Sequence, residues 1–137
     1  MQITGNGWLL PALLVSWVGV VGSQTVKVSI DVKPGDSPTT IEPGREGMLP
    51  VAILSTAGFD ATTVDPTTIR IGPAGSEAEP VRTMSDDVNK DGRSDLMMLV
   101  RIQDMKVKCG DKIIRLTGKT MNGTAIEGSE AVTTSGC

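Results

Sequence analysis

Histidine is absent from this chain, and so is tyrosine. The first absence removes the commonest general base at neutral pH and the commonest transition-metal ligand. The second leaves Phe59 as the only aromatic residue beyond Trp17, so the exposed rings on which sugar-binding sandwiches stack their ligands are lacking. A lone Phe in a β-protein belongs more readily to the core than to such a platform, which argues against a carbohydrate-binding or hydrolase-associated module. No run of Lys or Arg occurs either, and at a net charge of −3 nothing tracks phosphates, so nucleic acid is excluded as a partner. A G-x-S-x-G elbow, a zinc-spaced cluster and a phosphate-cradling glycine loop are all missing. Asp60, Asp65, Glu77 and Glu79 are candidate acids that form no recognisable pair. The expectation is a protein without catalytic activity.

What is present begins with an apolar, uncharged run, "WLLPALLVSWVGVV" (8–21), followed by Gly22 and Ser23. Its length suits the core of a secretory signal and falls short of the ~20 residues of a membrane-spanning helix. Residues 1–23 are therefore read as a signal peptide, or as a retained hydrophobic anchor, and residues 24–137 as one domain. No membrane contact is expected once the N-terminal segment is removed. The two cysteines, Cys109 and Cys137, lie in the part read as exported, where an even count favours a disulfide.

The exported part reads as β throughout. In "TVKVSIDV" (25–32), Val26, Val28, Ile30 and Val32 alternate with polar residues and are expected on one core-facing side. A passage rich in Pro and Gly follows, "KPGDSPTTIEPGREG", which no helix would tolerate. "MLPVAIL" (48–54) is a continuous apolar run that predicts a buried strand, with Pro50 marking an edge or bulge. Further strands are expected at 69–71, 81–84, 95–102, 112–119 and 131–134, with a loop over "FDATTVDPTT" and a hairpin at Asn122-Gly123. About seven short strands predict an all-β, antiparallel sandwich of immunoglobulin-like layout.

The stretch "DVNKDGRSDL" (87–96) carries the chemistry. Asp87, Asn89 and Asp91 offer side-chain oxygens at alternate positions, Gly92 permits a sharp turn, the carbonyl of Arg93 can point inward, and Asp95 closes the ring. Hard oxygen ligands brought round one point are what Ca2+ needs. The alternative is a solvated turn, since Asp, Asn and Gly are ordinary turn residues. Against that, Asp86, Asp87, Asp91 and Asp95 crowd together with only Lys90 and Arg93 to offset them, and a divalent cation relieves the repulsion. The twelfth loop position, where an EF-hand places a bidentate Glu, is Met98, so closure is expected from Asp95, helped by water or by a carboxylate elsewhere, with Asp86 and Asp104 the candidates.

The spacing D-x-N-x-D-G-x-x-D resembles the calcium loops of dockerin modules, thrombospondin type 3 repeats and integrin-type propeller blades. Because "LMMLVRI" reads as a strand, the likeness is to the strand-flanked loops of propeller blades. More widely, "VSIDVKPG", "MLPVAIL", "FDATTVDP", "DVNKDGRSDL" and the terminal "GC" resemble a module of secreted proteins of environmental bacteria and archaea with an "IDIKPG … DVNGDG … GC" pattern. That resemblance implies secretion and calcium, and no activity. Two functional expectations follow. One is a calcium-stabilised structural or adhesive module, secreted or at the cell surface, whose partners are other extracellular proteins or copies of itself. The other is a subunit of an extracellular filament that donates the strand at 25–32 to a neighbour's sheet edge.

Overall fold

The computed structural model describes residues 24–137, and the apolar run at 8–21, read as a signal or anchor, lies outside them. The first amphipathic stretch forms two strands rather than one, β1 (Thr25–Lys27) and β2 (Ser29–Val32). Two residues of the Pro/Gly-rich passage form β3 (Thr40–Ile41), and the apolar run forms β4 (Met48–Leu54) as expected. After a 3-10 turn at Ala61–Thr63 come β5 (Val64–Gly72) and β6 (Arg82–Asp86). Then follow β7 (Asp95–Arg101), a one-turn helix α1 (Ile102–Met105), β8 (Ile113–Thr120), β9 (Ala125–Ala131) and β10 (Thr133–Thr134).

Two four-stranded sheets result, ordered β1-β9-β8-β5 and β2-β4-β7-β6, beside a small β10-β3 pair. The protein is all-β. The pairing within the two sheets is antiparallel as expected, apart from the short β1, which runs parallel to β9; the two-residue β10 also runs parallel to β3. Ile30, Val32, Leu49, Val51, Ile53, Met98 and Val100 of the second sheet meet Ile69, Ile71, Ile114, Leu116 and Ile126 of the first in one buried cluster. Phe59 packs against that cluster, as a core residue would.

The stretch 25–32 divides because it passes from one sheet to the other. Val28 donates its amide to Glu127 at the end of the β1 pairing, and Ser29 then opens the pairing with Leu54. The four expected core residues divide accordingly: Ile30 and Val32 are buried, Val28 is half-buried, and Val26 is 36% exposed. The crossing is tight against β9. A Cβ at Gly128 would lie 2.7 Å from the Val28 carbonyl oxygen and 2.9 Å from Ile30 Cγ2.

Prolines occupy positions where their missing N–H goes unused. Pro50 lies in a central strand, where β2 ends: its carbonyl accepts from the Lys33 amide at 2.8 Å, on the same side as its own nitrogen. Pro66 lies on the edge strand β5, at an irregularity in its pairing with β8. The Asn-Gly hairpin forms with three turn residues, Met121 to Gly123, and Gly123 takes a left-handed φ of 89°.

Cys109 and Cys137 are bonded, across a sequence separation of 28. In the chain-entropy picture a loop of that size stabilises by roughly 3.5 kcal/mol. The bond and the β10-β3 pair together tie down the C-terminal end. A formed disulfide fits an oxidising compartment. Among the described residues no helix is long and apolar enough to cross a membrane.

The outward faces of the two sheets differ in character. On the first, Arg115, Thr117 and Lys119 of β8 and Glu127 and Ser129 of β9 point away from the core, with Lys27 paired to Glu127 at 2.8 Å. On the second, the residues alternating with the core positions are apolar too: Met48, Pro50, Ala52 and Leu54 from β4, Met97 and Leu99 from β7, Met84 from β6. Met48 and Met84 are 43% and 42% exposed.

The close passage at Gly128 makes a direct prediction. Gly128→Ala forces the Val28 backbone away from β9 and should cost ~1–3 kcal/mol in denaturant unfolding. Ser129→Ala, one residue on at an exposed position, should cost nothing measurable. Equal stability of the two variants would show that the crossing does not depend on the missing side chain.

Candidate metal centre

The acidic stretch is the connection between β6 and β7, residues 87–94, with Asp95 as the first residue of β7. The strand pairing brings its ends together, since Asp86 pairs with Asp95. Gly92 turns the chain with a φ of 89°, as expected, and Lys90 adopts a left-handed φ of 59° as well. The loop then folds inward, and Asp87, Asp91 and Asp95 each present a carboxylate oxygen within 4.8 Å of the others. Three carboxylates so placed could hold a metal ion.

Each ligand candidate is held by backbone amides. Asp87 accepts from Asp91 at 3.1 Å and from Gly92 at 2.8 Å. Burial pushes its carboxyl up, but the amides of Gly92, Asp91 and Lys90 outweigh this and keep the group below the usual carboxylate range. Asn89 turns its side-chain oxygen to the same Asp91 amide, at 3.4 Å, and so stands beside Asp87. Asp91 accepts from the Arg93 amide at 2.9 Å, while the Arg93 guanidinium lies 3.8 Å from its other oxygen. That exposed pair places a monovalent side-chain cation where a divalent ion would compete.

Asp95 differs from the rest because it is fully buried. One oxygen accepts from the Ser55 amide at 2.7 Å, the other from the Val88 amide at 3.0 Å. Ser55 carries the link further: its hydroxyl donates to the Ser94 carbonyl at 2.7 Å and accepts from the Ala61 amide at 2.8 Å. Asp95 thus ties the loop to the end of β4 and, through Ser55, to the turn that leads into β5. A carboxylate oxygen with one amide partner keeps a second lone pair, so this anchoring is compatible with a ligand role.

Of the two expected helpers, Asp86 sits exposed at the mouth of the loop, outside the carboxylate group. Asp104 is ruled out by distance. It follows β7, whose 7 residues at about 3.3 Å each place it roughly 20 Å from Asp95. Met98, at the twelfth loop position, is buried in the core. Ser55 is the residue that sequence reasoning missed, because its partner lies 40 positions away and no local pattern marks it.

The remaining candidate acids have structural partners. Asp60 and Asp65 open two similar stretches, "DATT" and "DPTT". Asp60 accepts from the amide and hydroxyl of Thr62 at 2.9 and 2.6 Å, and Asp65 likewise from Thr67 at 3.1 and 2.8 Å. The Thr62 hydroxyl and amide hold the Asp60 carboxyl below its usual range. Glu77 accepts from the amides of Ala74, Gly75 and Ser76, and Glu79 lies 3.6 Å from Arg70.

No family model matches this chain, and no curated protein matches it.

The hydrogen bonds separate two roles within the loop. Asp95→Ala leaves the buried Ser55 amide and the half-buried Val88 amide without partners, the first worth about 1–3 kcal/mol, and should destabilise the protein even in chelator. Asp91→Ala removes an exposed carboxylate and should leave the chelated protein's stability close to that of wild type. Urea unfolding of both variants in chelator checks this. Matching losses would mean that Asp95 does no anchoring beyond what the exposed carboxylate does.

Proposed function

We propose that this chain is a secreted or cell-surface structural module whose β6–β7 loop binds Ca2+, without catalytic activity of its own. The observation that carries the reading is the convergence of Asp87, Asp91 and Asp95 oxygens within 4.8 Å, at the mouth of a hairpin. Oxygen donors alone make a hard site, which favours Ca2+ or Mg2+ over the softer transition metals. Carboxylates, an amide oxygen and a backbone carbonyl are the mixed oxygen donors that suit the variable coordination of Ca2+, whereas Mg2+ demands a near-ideal octahedron and keeps most of its waters. Asn89, the Arg93 carbonyl and water would complete the shell. The sequence resemblance to strand-flanked calcium loops supports the same ion, and the disulfide supports export.

Calcium here would act on stability. The loop joins β6 to β7, so drawing its carboxylates together closes the end of the second sheet. Without the ion their mutual repulsion opposes that closure. A loop lacking the bidentate Glu belongs with the weaker extracellular sites, at ~10⁻⁴–10⁻³ M.

The competing filament reading places the strand at 25–32 in a neighbour. Its pairing with β9 and β4 of its own chain supports a self-contained module instead. The partners proposed are other extracellular proteins or copies of this chain.

Two measurements test these readings. Millimolar calcium over a ~0.1 mM site adds about 1.4 kcal/mol, so melting in calcium and in chelator should differ by several degrees. Asp91→Ala should abolish the difference, and identical melting curves for wild type in both buffers would sink the metal reading. Val28→Asp puts a charge beside the chain's own core and should unfold the monomer. A variant that stays folded and soluble but no longer assembles would favour the donated strand.

A further inference from the structure

We propose that the outer face of the second sheet is a self-association surface, on which a second copy of this chain packs face to face, turned end for end. The inference starts from β4 and β7, whose continuous apolar runs are the pattern of strands covered on both sides. Among the described residues only one side is covered. Leu49, Val51, Ile53, Leu96, Met98 and Val100 enter the core, and the residues between them do not. Ala52 shows how closely this outer layer already packs: it is fully buried although it belongs to the outward set. The first sheet has no such continuous layer: apart from Ile113, Ala125 and Ala131, its outward positions on β8 and β9 are charged or hydroxylated, namely Arg115, Thr117, Lys119, Glu127 and Ser129.

Charge selects the occupant. Arg82 and Arg101 flank the apolar rows at the end away from the metal loop, and Asp86 flanks them at the loop end. Asp31 borders them on β2, beside Ala52. These four formal charges cancel, so neither a strongly acidic nor a strongly basic surface is complementary to the whole face. A second copy turned end for end is complementary, because it lays its arginines over the acidic end of the first. Sheets stacked this way sit about 10 Å apart with side chains interleaved, and flexible Met84 and Met97 adapt to such a contact. The largest apolar patches of monomers cover roughly 300–600 Å², less than the ~800 Å² per partner of a standard interface. The dimer is accordingly weak and concentration-dependent. It does not depend on the metal reading, since the face is set by β4, β6 and β7 themselves.

Sedimentation equilibrium of the full chain between about 5 and 500 µM tests the proposal, with calcium present throughout. The expected result is a monomer–dimer equilibrium that Met84→Lys and Leu99→Lys each weaken at least tenfold. Met84 is 42% exposed, so its variant stays folded even where Leu99→Lys does not. Arg101→Glu should also weaken the dimer, and adding Asp86→Lys should restore it. The N-terminal segment is the same in every variant, so association through it would be untouched. A wild-type protein that remains monomeric over the whole range overturns the proposal. So does association that both lysine variants leave unchanged, or growth into open-ended polymers.

Discussion

The buried carboxylate of Asp95 is the interaction on which the rest of the loop end depends. It is fully shielded from water, and each of its oxygens accepts a backbone amide, one from Ser55 and one from Val88. A buried carboxylate without such partners would be costly; with them it is a fixed acceptor that holds three segments in place. The Ser55 hydroxyl extends the hold to Ser94 and Ala61. The end of β4, the start of β7 and the turn before β5 therefore share one small polar network inside an otherwise apolar sandwich.

That network explains why the acidic loop is shaped before any ion arrives. Amides from within the loop already gather Asp87 and Asp91, and strand pairing delivers Asp95. The polypeptide thus meets part of the ordering cost of a metal site by folding. Electrostatic repulsion among the carboxylates remains, and a divalent cation would remove it. Structure and charge point the same way here: the loop is ordered by hydrogen bonds and left short of positive charge.

The first strands and the last residues are organised by constraint of the chain rather than by charge. The first two strands cross between sheets past Gly128, where a side chain would collide with the Val28 backbone. The last residues are fixed by the Cys109–Cys137 bond and by a two-residue parallel pairing with β3. The first strands and the last residues are thereby attached to the sandwich, while among the described residues nothing covers the apolar outer face of the second sheet.

Much of this was legible in the residues themselves. Met48–Leu54 and Asp95–Arg101 announced themselves as unbroken apolar runs, the acidic loop by its alternating oxygen ligands and Gly92, and the disulfide by its even pair of cysteines. Those signals are local, or need only a count. Ala125–Ala131 was mostly missed, because "AIEGSEA" is small and polar; it is a strand because β8 and β1 hydrogen-bond it on either side. Alternation predicted one buried face for residues 25–32, but which sheet each half joins is a matter of neighbours far along the chain. Ser55 became part of the loop's support only through a partner 40 residues away. An apolar run, finally, records that a strand can be covered on both sides. Which side is covered was decided by how the two sheets meet.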